Sequence, residues 1–150
     1  MATLRLEIVT AERNVFADDV DMVVVPAIDG VVGILPHHSP LVTVLRPGEL
    51  KLRRGGEDEL LAIGGGFLQV LPDKVIILAD AAERAEEIDL GRAQAARERA
   101  QQLLAVRSDT DVELARAALQ RALVRLRVAE RVQNRAGRRA HVPDERRELG

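Results

Sequence analysis

Residues 75–100 read VIILADAAERAEEIDLGRAQAARERA, and they contain the change of pattern on which the fold depends. Up to about Ala81 the residues are aliphatic and β-branched, as is typical of a strand. After that point alanine, arginine, glutamate and glutamine dominate, and all four are good helix formers. From residue 81 to residue 135 there is no proline, and Gly91 is the single glycine. The stretch therefore separates a β-rich part of the chain from a helical part.

The β-rich part shows the alternation of apolar and polar side chains that is typical of half-buried strands. In the first run, the apolar Leu4, Leu6 and Ile8 alternate with charged residues. Further short β-rich runs follow at residues 21–25, 31–35, 41–45, 49–52, 59–63, 67–71 and 75–78. Glycine and proline turns separate these runs. Many short strands with no helical period between them predict an antiparallel sandwich or barrel.

The helical part is predicted to form two helices. The first has Asp89 as its N-cap and an inner stripe of Ala93, Ala96, Ala100 and Leu103. A turn follows at residues 107–109. The second begins with a capping-box pattern, Thr110 and Glu113, and has an inner stripe of Ala115, Leu119, Ala122, Leu126 and Ala129. Two alanine-rich stripes predict an antiparallel hairpin whose thin seam needs a second surface, so the hairpin is a candidate moving element.

We therefore expect three parts along the chain. Residues 1–84 form a β-sandwich domain, residues 85–136 form a helical hairpin, and residues 137–150 form a mobile charged tail without periodicity. No apolar run approaches 18 residues, and the N-terminus lacks a basic-then-apolar signal pattern. These features predict neither a membrane span nor secretion.

The composition argues against several classes of function. Phe16 and Phe67 are the only aromatic residues among 150, and there is no cysteine, which disfavours base stacking on nucleic acid and excludes disulfides and thiol catalysis. The two serines lie in predicted turns, so no nucleophile–base arrangement is expected. His37 and His38 are adjacent, which does not suit a shared metal ion. We expect no catalytic residues, no metal site and no nucleic-acid partner.

Charge is unevenly spread, and arginine supplies nearly all of the positive charge. Residues 1–80 carry 7 basic and 12 acidic side chains, whereas residues 81–150 carry 15 basic and 12 acidic ones. Every basic residue except Lys51 and Lys74 is an arginine. Guanidinium groups favour planar contacts with carboxylates and phosphates. The arginines therefore point to ion pairs or an anion site in the helical part.

Two pairs of arginines have the spacing of such a site. Arg92 and Arg99 share one face of the first helix, and Arg121 and Arg125 share one face of the second. In an antiparallel hairpin the two pairs can surround a polyphosphate, while Asp89 accepts a hydrogen bond from a neutral donor. The alternative is pairing on solvated faces, which spacing alone favours. The acidic residues available for that pairing are Glu98, Glu113 and Glu130.

Four motifs follow one another in a characteristic order. They are LEIVTAE at residues 6–12, GILPHHSPL at 33–41, GGGFLQV at 64–70, and IDLGRA at 88–93, with Pro47-Gly48, Ala79-Asp80 and Glu83 between them. In this order they resemble the epsilon subunits of bacterial F-type ATP synthases over residues 3 to about 133. The last motif is similar to that family's Ile/Leu-Asp-x-x-Arg-Ala nucleotide motif.

The resemblance implies a β + α fold, with an N-terminal antiparallel β-sandwich of about ten strands followed by a C-terminal antiparallel two-helix hairpin. It implies a non-catalytic rotor subunit at the cytoplasmic face of the cell membrane, bound peripherally to the gamma subunit and the membrane rotor ring, that couples rotation to proton transport. It also implies regulation. A hairpin folded against the sandwich permits ATP hydrolysis, and one extended into the alpha/beta catalytic head blocks it. ATP, as a regulatory ligand and not an obligatory cofactor, holds the folded form in some members.

The resemblance also implies roles for individual residues. The ATP-binding positions are Glu83, Ile88, Asp89, Arg92, Ala93, Arg99, Arg121 and Arg125. The rotor-contact loop is His37, His38, Ser39 and Pro40. Val31 stands where some members carry a carboxylate that faces the rotor ring. Two alternatives remain: a passive structural coupler, and a nucleotide-sensing module without inhibitory action.

Overall fold

The structure, a computed structural model, describes residues 2–105 and 112–140. These residues form eight strands, a short 3-10 turn and two α-helices. The strands are β1 (Leu4–Val9), β2 (Asn14–Val20), β3 (Met22–Ala27), β4 (Gly30–Ile34), β5 (Leu41–Arg54), β6 (Glu57–Val70), β7 (Lys74–Ala79) and β8 (Ala82–Arg84). The 3-10 turn is Ala85–Glu87, and the helices are α1 (Leu90–Ala105) and α2 (Val112–Ala140).

The strands form one folded-over sheet in the order β2-β1-β7-β6-β5-β3-β4, with β8 paired to β6. The predicted fold class, a β-sandwich followed by a helical hairpin, is confirmed. Two details differ from the prediction. The described strands number eight because the runs 41–45 and 49–52 belong to one strand, as do 59–63 and 67–71. In addition, β1 and β7 pair in parallel.

The two longest strands, β5 and β6, pair in one register past a proline on one and glycines on the other. Pro47 on β5 faces Gly64 on β6, and Leu45 faces Gly66. Gly66 has a φ of +140°, and a Cβ atom there would lie 2.1 Å from the backbone carbonyl oxygen of Leu78. Only glycine fits this position. Without a side chain at this position, β6 can pair with β5 on one side and with β7 on the other.

The molecule has two hydrophobic cores that share β6. The first fills the sandwich with side chains from residues 4–82, of which Leu6, Ile8 and Leu68 are fully buried. The second lies on the outer face of β6. It consists of Leu60, Ala62, Ala85, Ile88, Ala93, Val124, Leu126, Val128 and Ala129. The alternation of β6 thus places one set of side chains inside the sandwich and the other under α2.

The two helices pack along the predicted alanine stripes. Ala93 and Ala100 on α1 are buried, as are Ala115, Ala122, Leu126 and Ala129 on α2. The prediction for Leu103 is wrong, since its side chain is 53% exposed. Leu104 is half-buried instead. It lies three turns after Ala93 and therefore occupies the inner position. The predicted turn at 107–109 and Thr110 lie outside the described residues.

The second helix is longer than predicted. It continues to Ala140, four residues past the predicted end of the hairpin at residue 136. Gly137 is a single glycine among good helix formers. It lowers helix stability by about 1 kcal/mol, which is too little to end the helix. Residues 141–150 of the predicted tail lie outside the described residues. Among the described helices, none is long and apolar enough to cross a membrane.

Candidate functional site

Ion pairs hold the hairpin against the sandwich. On α2, Arg125 pairs with Glu83 of β8, and Arg131 pairs with Glu49 of β5. A third pair joins Arg13, in the turn after β1, to Glu87 of the 3-10 turn, with 2.7 Å between Nη2 and Oε2. The two α2 pairs flank the apolar contact around Val124 and Val128. In this conformation the hairpin is therefore docked.

The pair between Arg125 and Glu83 is half-buried and imperfect. Arg125 Nη2 donates a hydrogen bond to Glu83 Oε2 over 3.2 Å. Arg125 Nε lies 3.1 Å from Glu83 Oε1, but it is buried and has no hydrogen-bond partner, because the geometry is poor. A buried guanidinium N–H without an acceptor is costly. This atom can therefore gain from an acceptor that is better placed than the carboxylate.

A small cavity lies beside this pair. Its lining includes Gly64, Ala81, Glu83, Arg121 and Arg125, and its volume is about 30 Å³. Such a volume holds about one water molecule. The structure thus brings three of the predicted ATP-binding residues together, but in a space too small for a nucleotide.

The other predicted ATP-binding residues lie around the start of α1. The predicted cap is confirmed, since the backbone N–H of Arg92 donates to Asp89 Oδ1 over 3.0 Å. The Arg92 side chain is 84% exposed, with its Nε 3.9 Å from Asp89 Oδ2. Arg99 is also exposed, and neither arginine lines the small cavity. Ile88 and Ala93 are buried in the second core.

The alternative pairing of these arginines is not what the structure shows. Among the described side chains of residues 2–105 and 112–134, no ion pair joins an arginine to Glu98, Glu113 or Glu130. Arg125 turns instead towards β8. The solvated-face interpretation is therefore wrong for Arg125, and Arg92, Arg99 and Arg121 keep exposed side chains.

The loop between β4 and β5 presents the predicted rotor-contact residues. His37 adopts a left-handed conformation with a φ of +66°. The backbone N–H of His38 donates to the carbonyl oxygen of Leu35, and its Nδ1 lies 2.7 Å from the carbonyl oxygen of Ser39. This imidazole contact closes the loop on itself. In the part of the chain that the structure describes, no group of three or more ligating side chains could hold a metal ion.

An exposed apolar row crosses three neighbouring strands of the sheet. Val44, Phe67 and Leu78 lie on neighbouring strands and face one another in register. Their exposed fractions are 42%, 56% and 55%. Three adjacent large apolar side chains, open to solvent, are typical of a surface that a partner covers.

Sequence reasoning missed the contacts made across the domain junction. Glu49 and Arg131 are 82 positions apart, and no spacing rule connects them. It also missed a wide cleft between the sandwich and α2 that is lined in part by Arg46, Lys51 and Arg127. The signal that could have found it is the two-residue alternation of β5, which sends Glu49 and Lys51 to the face on which α2 packs.

Family models and similar proteins cover nearly all of the described chain. A model described as ATP synthase, Delta/Epsilon chain, beta-sandwich domain matches residues 3–85, and the long alpha-helix domain of the same description matches residues 86–130. A Dehalococcoides mccartyi protein named ATP synthase epsilon chain is 53% identical over 133 residues, covering 87% of this chain and 95% of its own length. A Herpetosiphon aurantiacus protein of the same name is 55% identical over 134 residues, covering 88% and 98%.

Two solved structures share the fold. One is a chain from the cryo-EM structure of the Euglena gracilis mitochondrial ATP synthase, OSCP/F1/c-ring in rotational state 1, with a TM-score of 0.65, 23% identity, and 91% of this chain and 82% of that chain covered. The other is from the Tetrahymena thermophila mitochondrial ATP synthase central stalk/c-ring, with a TM-score of 0.58, 13% identity, and 84% and 96% covered. At these identities the likeness concerns the fold alone.

Proposed function

Since this chain belongs to the delta/epsilon chain family of ATP synthase, we propose that it is the non-catalytic central-stalk subunit whose hairpin regulates ATP hydrolysis. The regulatory part of this proposal rests on how α2 is held against the sandwich. A thin apolar seam on β6 and two ion pairs, Arg125–Glu83 and Arg131–Glu49, join it to the sandwich. A seam of this kind can open without unfolding the sandwich, whose own core lies within residues 4–82.

The hairpin has two states in this proposal. Docked, as here, it permits hydrolysis. Extended into the alpha/beta catalytic head, it blocks hydrolysis and exposes the basic side chains of α2 to that partner. A ligand that binds one state more tightly than the other by a few kcal/mol can set the balance between them.

ATP is the proposed ligand of the docked state. The phosphates bind Arg92, Arg99, Arg121 and Arg125, and Arg125 Nε gains the acceptor that it lacks in the present conformation. Because the cavity beside Arg125 is about 30 Å³, nucleotide entry requires local opening and displacement of Glu83 from the guanidinium. Asp89 and Glu83 then accept hydrogen bonds from the neutral donors of the nucleotide. Ile88 and Ala93 supply the apolar wall.

The sandwich supplies the assembly surfaces. We assign the row of Val44, Phe67 and Leu78 to the gamma subunit, since it is apolar, exposed and outside the core on which the hairpin packs. The loop at residues 37–40, with the exposed Leu35 beside it, contacts the membrane rotor ring. The subunit thereby sits peripherally at the cytoplasmic face of the membrane, with residues 1–84 as the assembly domain and the hairpin from residue 85 as the regulatory one.

Calorimetric titration of the isolated protein with ATP tests the nucleotide site. Arg92→Ala and Arg125→Ala should each weaken binding by roughly 1.5–3 kcal/mol, the scale of a lost charge-assisted hydrogen bond. Arg116→Ala, an exposed arginine elsewhere on α2, is the matched control and should bind as the wild type does. No binding at about millimolar ATP, or equal losses in all three variants, contradicts the site.

Hydrolysis by the assembled complex separates the regulatory function from the alternatives. Deletion of residues 88–150 should raise ATP hydrolysis, because it removes the inhibitory element and leaves the sandwich. A passive coupler would give unchanged hydrolysis and no ATP binding. A nucleotide sensor without inhibitory action would bind ATP and still give unchanged hydrolysis after the deletion.

A further inference from the structure

A wide cleft, separate from the cavity beside Arg125, lies between the outer face of the sandwich and α2. Its volume is about 920 Å³, within the range of small-molecule sites. Strands β3 to β5 contribute Val24, Pro26, Val31, Arg46, Pro47, Gly48, Glu49 and Lys51, and α2 contributes Gln120, Leu123, Val124, Arg127, Arg131 and Asn134. Arg127 and Arg131 therefore serve a different side of α2 from Arg121 and Arg125.

The cleft carries an excess of unpaired positive charge. Among the described residues, Arg46, Lys51 and Arg127 have no acidic partner within ion-pair distance. The one carboxylate that lines the cleft, Glu49, already binds Arg131. A concave surface with one sign of charge concentrates the potential and attracts counter-ions.

Unpaired arginines are unusual on this sandwich. Arg13, Arg53 and Arg54 form ion pairs at 2.6–2.8 Å, and Arg5 lies 3.9 Å from Glu7. Arg84 stacks over Phe16 at 5.5 Å. Of the sandwich arginines in the described part of the chain, Arg46 alone lacks such a partner, and it lines the cleft.

We propose that this cleft binds a phosphate-rich polyanion. The guanidinium groups of Arg46 and Arg127 and the ammonium group of Lys51 can bind several phosphate oxygens at once. No aromatic side chain lines the cleft, so it offers no stacking surface for a base and recognises the phosphates themselves. A free oligophosphate and a phospholipid headgroup both present such phosphate oxygens. The apolar side chains of Val24, Val31 and Leu123 can contact the rest of either ligand.

Occupation of the cleft stabilises the docked hairpin. Lys51 and Arg46 belong to the sandwich and Arg127 to α2, so one polyanion bridges the two domains. A ligand that binds only the docked form stabilises it by RT ln(1 + [L]/Kd). This consequence rests on the proposed function, whereas binding to the cleft does not. Measurements on the isolated full-length chain therefore test the cleft without reference to hydrolysis.

Titration with inorganic tripolyphosphate, followed by the amide resonances of Val24 and Leu123, tests the proposal. Lys51→Gln/Arg127→Gln should weaken the binding seen at these resonances by about tenfold or more. Lys74→Gln/Arg116→Gln removes the same two charges outside the cleft and should change it by less than about twofold.

A second arm identifies the source of the phosphate. Sedimentation with vesicles containing an anionic phospholipid, compared with zwitterionic vesicles, shows whether a headgroup binds. Vesicle binding that Lys51→Gln/Arg127→Gln abolishes supports the site with lipid as its ligand, and tripolyphosphate binding alone supports a free oligophosphate. The proposal is overturned if neither probe binds in a way that depends on Lys51 and Arg127. Equal losses in the Lys74→Gln/Arg116→Gln control overturn it as well.

Discussion

Gly66 shows how much of the sandwich depends on a single residue. Its φ of +140° is open to glycine, and a Cβ atom would approach the Leu78 carbonyl oxygen to 2.1 Å. Gly66→Ala should therefore lower the free energy of unfolding by about 1–3 kcal/mol or more. Urea unfolding of the full chain, followed by circular dichroism, measures this. Gly33→Ala is the control, because a Cβ atom added there would have no other atom within 4 Å and the φ of Gly33 is ordinary.

The junction between the domains carries a pH-sensitive pair at residue scale. A hydrogen bond from Arg13 holds the pKa of the Glu87 carboxyl below its ordinary value. A lowered folded-state pKa means that the pair stabilises the protein above the ordinary glutamate pKa of about 4.3, and that this stability is lost as the pH falls through the folded-state pKa.

The difference in unfolding free energy between wild type and Arg13→Gln should therefore shrink as the pH is lowered from about 6 to about 3. Chemical denaturation at several pH values measures it. Arg116→Gln, an exposed arginine of α2 with no ion pair among the described residues, is the control for removal of one positive charge. A difference for Arg13→Gln that stays constant over this range would contradict the role of the pair.

At the scale of elements, the hairpin depends on close packing of small side chains. Ala100 of α1 is 2% exposed and packs on the α2 stripe. Ala100→Leu should overpack this seam and destabilise the hairpin by about 1–3 kcal/mol. Amide hydrogen exchange of α1 measures the loss. Ala95→Leu changes an exposed alanine of the same helix, and because leucine is also a good helix former it should leave exchange unchanged.

The elements that the sequence predicts well are those with a clear period. The alternation of Leu4, Leu6 and Ile8 and the alanine stripes of the helices each follow from one local rule. Strand β2 escapes prediction because Asp18 and Asp19 interrupt its apolar pattern, and β8 because three residues carry no period. The continuation of β5 past Pro47 and of β6 past Gly66 depends on a partner strand, which a single sequence does not display.

The candidate site shows the same limit. The cap at Asp89 is a local hydrogen bond and could be predicted from the residues that follow it. The pairing of Arg125 with Glu83, 42 positions away, depends on how α2 docks on the sandwich. The cleft around Lys51 and Arg127 likewise exists only once both domains are in place.

At the scale of the whole molecule, the sandwich and the hairpin differ in how firmly they are built. The sandwich encloses a continuous core, whereas α1 packs mainly on α2, and α2 rests on one face of β6. A ligand that bridges the two domains therefore acts on the contact with the smaller apolar core. Both the proposed ATP site and the proposed polyanion cleft lie at that contact.

The central claim is that the docked hairpin permits ATP hydrolysis and the extended one blocks it. The chain has no cysteine, so Glu49→Cys/Arg131→Cys introduces one thiol on each side of the docked interface, where an ion pair now joins the two side chains. A short bismaleimide joins these thiols and locks the hairpin down, and the two single variants treated in the same way are the controls.

ATP hydrolysis by the assembled complex that contains the locked subunit is the most direct measurement. It should exceed the hydrolysis of complexes with the single variants, and it should no longer respond to conditions that favour the extended state. Locked and unlocked subunits that give the same hydrolysis under those conditions would show that the position of the hairpin does not control the enzyme.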